Sequence, residues 1–556
     1  MNSTFRKFAP FGLILTAYLA MLLLIDRTGE FPLIDDWAYA HGVSGLINEG
    51  VLKISDWVAM TQVAHLYGGF LWSILFGYSL EHLREFTLLF SITGSIIFYY
   101  LTGFFTRQVW LRTIGTLILI SNPIWIYLSH TFMTDIPFTA LFIALIALIV
   151  RWMQLKPNTA INYLVFGVIL VMSVTIVLIR QTGLGIGFSF LLWTILMNPS
   201  DQKRFFVFGI ILTVVQILTL VSYEIIMSDL GALSTRYHGA GSLSWIFSRE
   251  WWVIRAGYYG LIQIQYLGFF LLPLFPFVLL ALRKITIRKS DLIVPLALIL
   301  AIGFSVGGDI LMNPRYTHLM QYDTVGHIMT IDFTYEMLEF SRELYPLWII
   351  IHLLGLLNIG GWVLLTITAY RTMRPDSHPI WWVLLILGGY SVFISIGQFV
   401  FDRYMLLHLP LLILAIIYLL DHYLPLRNRT SMTIAVILLV CSFLFGVVGT
   451  HDSFEWNRAR FNALQELEDQ GISPNQIDGG AEYNSWKKTA PLQPLRMFEK
   501  SWWYVDGDEY AIAFNAVPGY EKLYPIYFTR YYGAISDSMY VIRRVDSDPV
   551  DSVQAD

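Results

Sequence analysis

The chain has 556 residues, of which 56% are hydrophobic, 16% aromatic and only 14% charged, and its mean hydropathy is +0.59. This composition excludes an ordinary soluble protein and indicates a polytopic membrane protein. The net charge of -4 shows no basic bias, so we expect no nucleic-acid partner. Cys441 is the only cysteine, which excludes an intrachain disulfide and a cysteine-based metal site.

The first predicted element is a helix over the apolar run from Phe8 to Ile25, which follows Arg6 and Lys7. The run is long enough to cross a bilayer, and no A-x-A-like cleavage site follows it. We therefore expect a retained first span rather than a cleaved signal peptide. The two basic residues predict a cytoplasmic N-terminus.

Further apolar runs along the chain have the length of membrane spans. They lie near residues 86–105, 113–129, 136–150, 161–179, 183–197, 205–226, 262–282, 292–311, 346–369, 380–400, 405–420 and 431–449. With the first helix they predict about 13 transmembrane helices. The apolar segment 65–80 is short and ends in charged residues, and it is expected to form an interfacial or re-entrant helix.

The distribution of Lys and Arg favours this topology. If segment 65–80 does not span, 16 of these residues fall in short segments on the side of the N-terminus, against 10 in the much longer opposite loops before residue 450. This positive-inside pattern predicts that the polar segments near residues 26–85, 129–137, 227–261 and 312–345 face outward, as do Arg180 and the segment "FDRYM". The chain after residue 450 is predicted on the same side.

Residues 450–556 differ in character from the rest of the chain. The segment "SFEWNRARFNALQELEDQG" has helical spacing and ends at Gly471. The aromatic and β-branched runs "SWWYVD", "YAIAF", "YPIYFTRYY" and "SMYVIRRV" are separated by turn signals. We therefore predict two domains, a multi-spanning domain at residues 1–449 with a catalytic first outer loop at 26–85, and a small extracytoplasmic α/β domain at residues 450–556.

Carboxylates mark two of the predicted outward segments. Asp35 and Asp36 stand side by side in "FPLIDDWAYA", directly after the first span, and Asp135 lies in "SHTFMTDIP" between two spans. Each can be a solvated helix start, where the helix dipole favours an acid. An ionisable group at the edge of two apolar spans is also typical of a functional site. Asp35 and Asp135 are 100 residues apart, so only the fold can bring them together.

Outward carboxylates beside a bilayer suit sugar transfer from a lipid phosphate carrier. The phosphate already leaves well, so the enzyme chiefly needs one base for the attacking hydroxyl or amine, and cations for the phosphate. Arg236, Arg255, Arg403 and the nearby His65 are the candidate phosphate ligands. The alternatives are contact with lipid headgroups or ion pairing for the arginines, and a structural role for the lone histidine.

These segments also resemble a known family. The order "DDWAYAHGVSGLINEG…SDW" after the first helix resembles the first-loop signature of membrane GT-C glycosyltransferases of family 39, which includes protein mannosyltransferases and lipid A aminoarabinose transferases. The segment "SHTFMTDIP" is similar to their second outward Asp, and "FDRYMLLHLPLLILAI" resembles their late Asp-Arg-Tyr segment. Many relatives have a Pro-Pro pair with a basic residue after the "DW", whereas this chain reads "VAMTQVAHLYGGFLW".

The resemblance implies a polytopic α-helical GT-C architecture and transfer of a sugar from a polyprenyl-phosphate donor by inverting single displacement. The acceptor is a lipid, glycan or protein at the outer face of the cell membrane. The resemblance further implies that Asp35 is the acceptor-side catalytic carboxylate, that Asp36 supports it and that Asp135 completes the site. No cofactor follows, although a divalent metal held by the three acids stays open.

Two other function classes stay open from the sequence. A transporter or flippase is typically marked by charged or broken helices near the bilayer midplane, and Glu224 in "VSYEIIM" is the nearest residue of that kind. A noncatalytic membrane scaffold that presents the C-terminal domain is the third class. In that case neither Asp35 nor Asp135 is needed for activity.

Overall fold

The structure is a computed structural model, and it describes residues 3–239, 252–305, 345–372, 378–396, 401–424, 428–487, 507–513, 516–517, 519–529, 531 and 538–545. Most of the predicted outer loop 312–345 and the run "SWWYVD" lie outside these residues. The described chain is mainly helical and ends in a small sheet.

The first eleven helices of the described chain carry most of the candidate site. They are α1 (Ser3–Leu24), α2 (Asp36–Asn48), α3 (Val63–Phe76), α4 (Leu80–Thr102), α5 (Val109–Ile120), α6 (Pro123–Leu128), α7 (Asp135–Met153), α8 (Ala160–Ile179), α9 (Gly185–Met197), α10 (Gln202–Asp229) and α11 (Thr235–Gly239).

The later helices complete the bundle and lead into the C-terminal segment. They are α12 (Trp252–Phe270), α13 (Phe275–Leu282), α14 (Ile293–Ser305), α15 (Tyr345–Thr372), α16 (Ile380–Ser395), α17 (Met405–Tyr423), α18 (Arg429–Asp469) and α19 (Ala481–Lys487). Short 3₁₀ helices at Gln181–Leu184 and Asp402–Tyr404 precede α9 and α17.

Several of these helices have the length and composition of membrane spans. Within the described ranges, 7 helices are long and apolar enough to cross a membrane, or 8 if the bent pair α12 and α13 is one span. Shorter apolar helices, among them α5, α9 and α16, lie beside them. The polytopic helical architecture is confirmed, and the total of about 13 spans stays a prediction.

The predicted span at 113–129 is two helices rather than one. The side chain of Asn122 accepts hydrogen bonds from the backbone amides of Ile124 at 3.0 Å and Trp125 at 3.2 Å, and so caps a new helix. Pro123 occupies its first turn, where the missing N–H costs nothing. The α5 helix therefore ends at Ile120 and α6 starts afresh.

The α3 helix covers most of the ambiguous segment 65–80. Its 14 residues are about 21 Å long, which is well short of the ~30 Å hydrocarbon core. The helix ends at Gly77, whose φ of 90° a glycine adopts without strain. Its length fits the predicted interfacial or re-entrant helix.

The α18 helix joins the bundle to the C-terminal segment. Its 41 residues run from Arg429 to Asp469 without a break, so the last predicted span and the first predicted C-terminal helix are one element. Asn428 caps its start by accepting a hydrogen bond from the Ser431 amide at 2.9 Å. The predicted domain boundary at 449/450 falls inside this helix and stays a prediction.

The C-terminal segment contains a four-stranded sheet in the order β1-β2-β4-β3. Strand β1 (Ile477–Asp478) pairs parallel with β2 (Tyr510–Ala513), while β4 (Ser538–Arg544) pairs antiparallel with both β2 and β3 (Tyr520–Tyr527). Trp456, Leu464 and Leu467 of α18 pack into one core with sheet residues Ile512 and Val541. The mixed α/β character predicted for this segment is present.

The C-terminal segment also packs onto the first loop of the chain. The guanidinium of Arg458 donates to the carbonyl oxygen of Thr28, with Nη2 at 2.9 Å. The ring of Phe31 stacks on Phe461 with centroids 5.5 Å apart. Next along the loop, His41 of α2 stacks on Trp486 of α19 at 4.7 Å. These contacts hold α2, which follows Asp35, from the side of the C-terminal segment.

Candidate functional site

Asp35 lies at the N-terminus of α2, and protein groups hold both of its carboxylate oxygens. The indole Nε1 of Trp57 donates a hydrogen bond to Oδ1 at 2.7 Å. Arg403, from the 3₁₀ helix before α17, donates through Nη2 to Oδ2 at 3.1 Å. The Asp35 side chain remains 20% exposed. The carboxylate is therefore oriented on two sides and still reachable from solvent.

Asp36 is fully buried and serves the loop around it. Its Oδ1 accepts from the backbone amide of Leu33 at 2.6 Å, and its Oδ2 accepts from that of Phe132 at 3.4 Å. Burial raises the pKa of this carboxyl to about 7, although the nearby Arg84 and these hydrogen bonds act in the opposite direction. Asp36 thus ties the start of α2 to the hinge before α7.

Asp135 opens α7 and forms an ion pair with Arg180, which directly follows α8. Arg180 Nη2 lies 2.8 Å from Asp135 Oδ2, and the two side chains are only 11% and 2% exposed. Arg180 also donates through Nε to the hydroxyl of Thr134 at 2.9 Å. A charged pair buried to this degree is stable only because the partners neutralise each other.

The end of α8 is held by the segment that follows Trp57. The backbone amide of Gln62 donates to the carbonyl oxygen of Ile179 at 3.1 Å, and the hydroxyl of Thr61 donates to the carbonyl oxygen of Val177 at 2.6 Å. The Gln181 side chain donates back to the carbonyl of Ala59 at 2.9 Å. Arg180 is therefore fixed relative to the first outer loop.

Two buried tyrosines lie within electrostatic range of both carboxylate–arginine pairs. Tyr39 of α2 and Tyr404, next to Arg403, each interact electrostatically with Asp35, Asp135, Arg180 and Arg403, which places all four charges around these rings. Burial raises the pKa of both phenols, so both are neutral at pH 7. The fold thus brings together Asp35 and Asp135, which the sequence separates by 100 residues.

Arg236 contacts Trp57, whose indole donates the hydrogen bond to Asp35. Its Cζ is 3.9 Å from the centroid of the Trp57 ring, and its Nη1 donates to the Trp57 carbonyl at 3.3 Å. The predicted outer loop after α10 therefore contacts the "SDW" segment. The role of Arg236 as a phosphate ligand stays a prediction.

The other two predicted phosphate ligands differ in how much the structure describes. His65 is 1% exposed, its Nε2 lies 3.1 Å from the Phe132 carbonyl, and its ring stacks on Phe132 at 4.3 Å. These contacts favour the structural role that the sequence left open. Arg255 lies in α12, but its side chain is outside the described residues.

Arg180 and Trp57 are not among the site residues predicted from the sequence. A signal for Arg180 exists, because it stands alone at the end of the apolar run "VMSVTIVLIR" and Asp135, at the edge of another span, requires a cationic partner. Trp57 was noticed only as part of the "DW" signature. Its hydrogen bond to Asp35 spans 22 residues and depends on the path of the loop.

No metal cluster forms in the part of the chain that the structure describes, since no group of three or more His, Cys, Asp or Glu side chains there could hold an ion. The three acids point to different protein partners instead. Asp35 binds Trp57 and Arg403, and Asp135 binds Arg180. The divalent-metal option of the sequence interpretation gains no donor set from these residues.

Comparisons with known proteins identify the fold. No protein-family model matches the chain, and no curated protein matches it by sequence. ArnT from Cupriavidus metallidurans bound to undecaprenyl phosphate matches with a TM-score of 0.51 and 12% identity, over 98% of this chain and 99% of ArnT. The chain has the GT-C fold.

Further solved structures match this GT-C chain. ArnT in the apo state gives a TM-score of 0.50 at 11% identity, over 97% of this chain and 98% of ArnT. The oligosaccharyltransferase AglB from Archaeoglobus fulgidus, in complex with an inhibitory peptide and a dolichol-phosphate, gives 0.45 at 14% identity, over 89% of this chain and 62% of AglB. The likeness to the two ArnT structures confirms the expected GT-C architecture. At this level of identity the likeness concerns the fold, so the chemistry has to be argued from the residues.

Proposed function

We propose that this protein is a glycosyltransferase that moves a sugar from a polyprenyl-phosphate donor to a lipid, glycan or protein acceptor at the outer face of the membrane. The observation that carries the proposal is the joint site of Asp35–Arg403 and Asp135–Arg180. It supplies one reachable carboxylate and two arginines on a GT-C scaffold. ArnT, which shares this fold, has been solved with undecaprenyl phosphate bound.

Asp35 is the proposed base because of its exposure. Its side chain is 20% exposed, whereas that of Asp135 is 2% exposed and Asp36 is fully buried. A base must come within hydrogen-bond reach of the proton that it removes. Of the three acids, Asp35 meets this condition, while Asp36 holds the loop and Asp135 holds Arg180.

Arg403 and Arg180 are the proposed ligands of the donor phosphate. Each guanidinium has five N–H donors in a planar fork, a geometry that suits the oxygens of a phosphate. In the structure two positive and two negative side chains balance each other. An incoming phosphodiester adds negative charge and competes with Asp35 for Arg403, which frees Oδ2 of Asp35 to accept a proton.

The proposed reaction is a single displacement. The hydroxyl or amine of the acceptor attacks the anomeric carbon while Asp35 takes its proton. The bond between that carbon and the phosphate oxygen breaks, and polyprenyl phosphate leaves with the electron pair. The two arginines stabilise the charge on the departing phosphate. Attack from the face opposite the leaving group inverts the anomeric configuration.

The transferred group is a hexose or a pentose in this proposal, and the donor leaflet is the outer one. The segments that carry the site are those predicted outward from the Lys and Arg distribution. They contact one another at the site, as the Trp57–Asp35, Arg403–Asp35 and Gln62–Ile179 hydrogen bonds demonstrate. A single orientation therefore places the whole site on one side of the membrane.

Among the described residues, the one charge that favoured a transporter in the sequence does not support that class. Glu224, the nearest approach to a buried relay group in the sequence, lies on an exposed face of α10 rather than inside the bundle.

The glycosyltransferase proposal is tested by incubating the purified protein with a panel of radiolabelled polyprenyl-phosphate sugars and a membrane extract. Transfer of label from one donor supports it, whereas transport in liposomes without transfer from any donor contradicts it.

A further inference from the structure

We propose that Arg236 is a positioning residue that acts on Asp35 through Trp57, and not a ligand of the donor phosphate. This inference rests on the proposed function, since it takes Asp35 as the base. The three side chains form a continuous series of contacts from the loop after α10 to the carboxylate. The indole of Trp57 stands in the middle of that series.

Trp57 fixes one oxygen of the carboxylate. Its Nε1 donates to Asp35 Oδ1 at 2.7 Å, and its ring leans on Trp37 of α2 with centroids 6.1 Å apart. Arg403 takes the other oxygen of Asp35. When a phosphate draws Arg403 away, the Trp57 hydrogen bond still orients the carboxylate. The position of the indole therefore determines where Oδ2 points during the reaction.

Arg236 contacts both the ring and the main chain of Trp57. Its guanidinium carbon lies 3.9 Å from the ring centroid, which is a cation–π contact. Its Nη1 donates to the carbonyl oxygen of the same residue at 3.3 Å. With one face on the indole and one edge on the backbone, this guanidinium is arranged to hold Trp57.

The residues before Arg236 hold the two neighbours of Trp57. The backbone amide of Thr235 donates to Asp56 Oδ1 at 2.9 Å. The hydroxyl of Ser234 donates to the carbonyl oxygen of Val58. Residues 234–236 therefore contact residues 56, 57 and 58. Of these three residues, Arg236 contacts the indole of Trp57, which donates to Asp35.

The two roles for Arg236 predict different kinetics. A phosphate ligand contributes to donor binding, so its loss raises the donor KM and the Kd for polyprenyl phosphate. A positioning residue for the base leaves donor binding intact and lowers kcat, since a misplaced reacting group slows the chemical step by roughly 10- to 100-fold.

The test compares Arg236→Ala, Arg236→Lys and Trp57→Phe in the full-length protein. Trp57→Phe keeps an aromatic ring and removes the N–H donor. We expect kcat to fall by roughly 10-fold or more in Trp57→Phe and Arg236→Ala. The donor KM and the Kd for undecaprenyl phosphate stay within about twofold. The double variant is expected to be no slower than Trp57→Phe alone, because both changes act on one contact series.

The chain offers a matched control on the predicted cytoplasmic side. Arg204 lies over the ring of Trp152, with Cζ 4.3 Å from its centroid, and donates through Nη2 to the Trp152 carbonyl at 3.2 Å. The chemistry is the same, but no catalytic group is attached. Arg204→Ala and Trp152→Phe are therefore expected to leave kcat unchanged in the fraction of protein that folds.

Two results overturn the inference. If the Kd for undecaprenyl phosphate rises about tenfold in Arg236→Ala, Arg236 is a phosphate ligand. If kcat is unchanged in Trp57→Phe, the contacts from Arg236 through Trp57 do not position Asp35. If the wild type transfers no sugar, the proposed function fails separately. The series is then judged from melting temperatures, because a continuous series of contacts through Trp57 predicts that the effects of Asp35→Asn and Arg236→Ala are coupled. Additive effects of these two changes contradict it.

Discussion

Arg180 Nη2 lies 2.8 Å from Asp135 Oδ2 in the interior of the helix bundle, and this pair joins the end of α8 to the start of α7. It is the more buried of the two carboxylate–arginine pairs, since the side chain of Asp135 is 2% exposed and that of Asp35 is 20% exposed. Because the pair is buried, the removal of either residue leaves the charge of the other without its partner.

The first prediction concerns the stability of this pair. Arg180→Ala leaves the Asp135 carboxylate buried without its partner, and breaking a buried pair in this way costs about 3–5 kcal/mol. We expect a clear drop in the melting temperature of the detergent-purified protein. Asp135→Asn combined with Arg180→Gln is expected to cost less than the sum of the two single changes, because no uncompensated charge remains.

The matched control for this prediction is the pair Arg27–Glu85. Its atoms are 3.3 Å apart, but both side chains are about one third exposed, at 32% and 36%. An exposed pair contributes about 0–1 kcal/mol, so Arg27→Ala is expected to change the melting temperature little. Equal decreases in melting temperature in Arg180→Ala and Arg27→Ala contradict the larger contribution to stability expected of the buried pair.

The second prediction concerns binding of the donor phosphate. Arg403→Ala removes a cation from the proposed phosphate site, so we expect the Kd for undecaprenyl phosphate to rise by about tenfold. Asp35→Asn has the opposite effect, because it removes the negative charge that competes for Arg403. Binding of tritiated undecaprenyl phosphate in detergent micelles measures both values.

In this experiment Arg27→Ala again serves as the control, since it removes an outer-loop arginine that pairs with Glu85 instead of Asp35. Its Kd is expected to equal that of the wild type. Weaker binding in Asp35→Asn, to the same degree as in Arg403→Ala, is inconsistent with competition between the carboxylate and the phosphate.

The third prediction concerns the pH dependence of stability. Burial raises the pKa of Asp36 from 3.8 to about 7, so between these values the folded protein keeps a proton that the unfolded chain has lost. The contribution of Asp36 to stability therefore falls as the pH rises from about 4 to about 7, and is lowest above that range.

Asp36→Asn removes this titration. The melting temperature of the wild type minus that of the variant is expected to decrease between pH 5 and pH 8, because only the wild type then has to ionise a buried carboxyl. Scans at several pH values in one detergent measure the difference. A difference that stays constant or increases with pH is incompatible with the raised pKa.

The sequence predicted the helical membrane class and located three of the four charges at the core of the site. Asp35 and Asp135 were found because each stands at the edge of an apolar run, where an ionisable group needs a reason. Arg403 was found through the "FDRY" segment. Which carboxylate each arginine meets could not be read from the sequence, because the pairs span 368 and 45 residues and depend on the packing of the bundle.

Two helix boundaries of the structure have local causes that are visible in the sequence. The span at 113–129 was drawn through Asn122 and Pro123, a cap followed by a first-turn proline, where the structure starts a new helix. The last predicted span stops near residue 449. The segment "VVGTHDSFEW" contains no proline, and the α18 helix continues through it to Asp469. A change from apolar to polar composition marked a change of surroundings there, and not the end of a helix.

The contact between Arg236 and Trp57, by contrast, could not be predicted from the sequence. Nothing in "STRYHGAG" distinguishes an arginine that binds phosphate from one that stacks on an indole 179 residues away. The difference depends on the path of two loops, which only the folded chain determines.

The most direct test of the whole account is release of polyprenyl phosphate from its sugar conjugate by the wild type and by Asp35→Asn. The substitution keeps the shape of the side chain and removes its ability to take a proton. With equal expression and folding, and with undecaprenyl phosphate binding no weaker than that of the wild type, we expect Asp35→Asn to lose donor turnover by at least about 100-fold. Turnover equal to that of the wild type contradicts the assignment of Asp35 as the base.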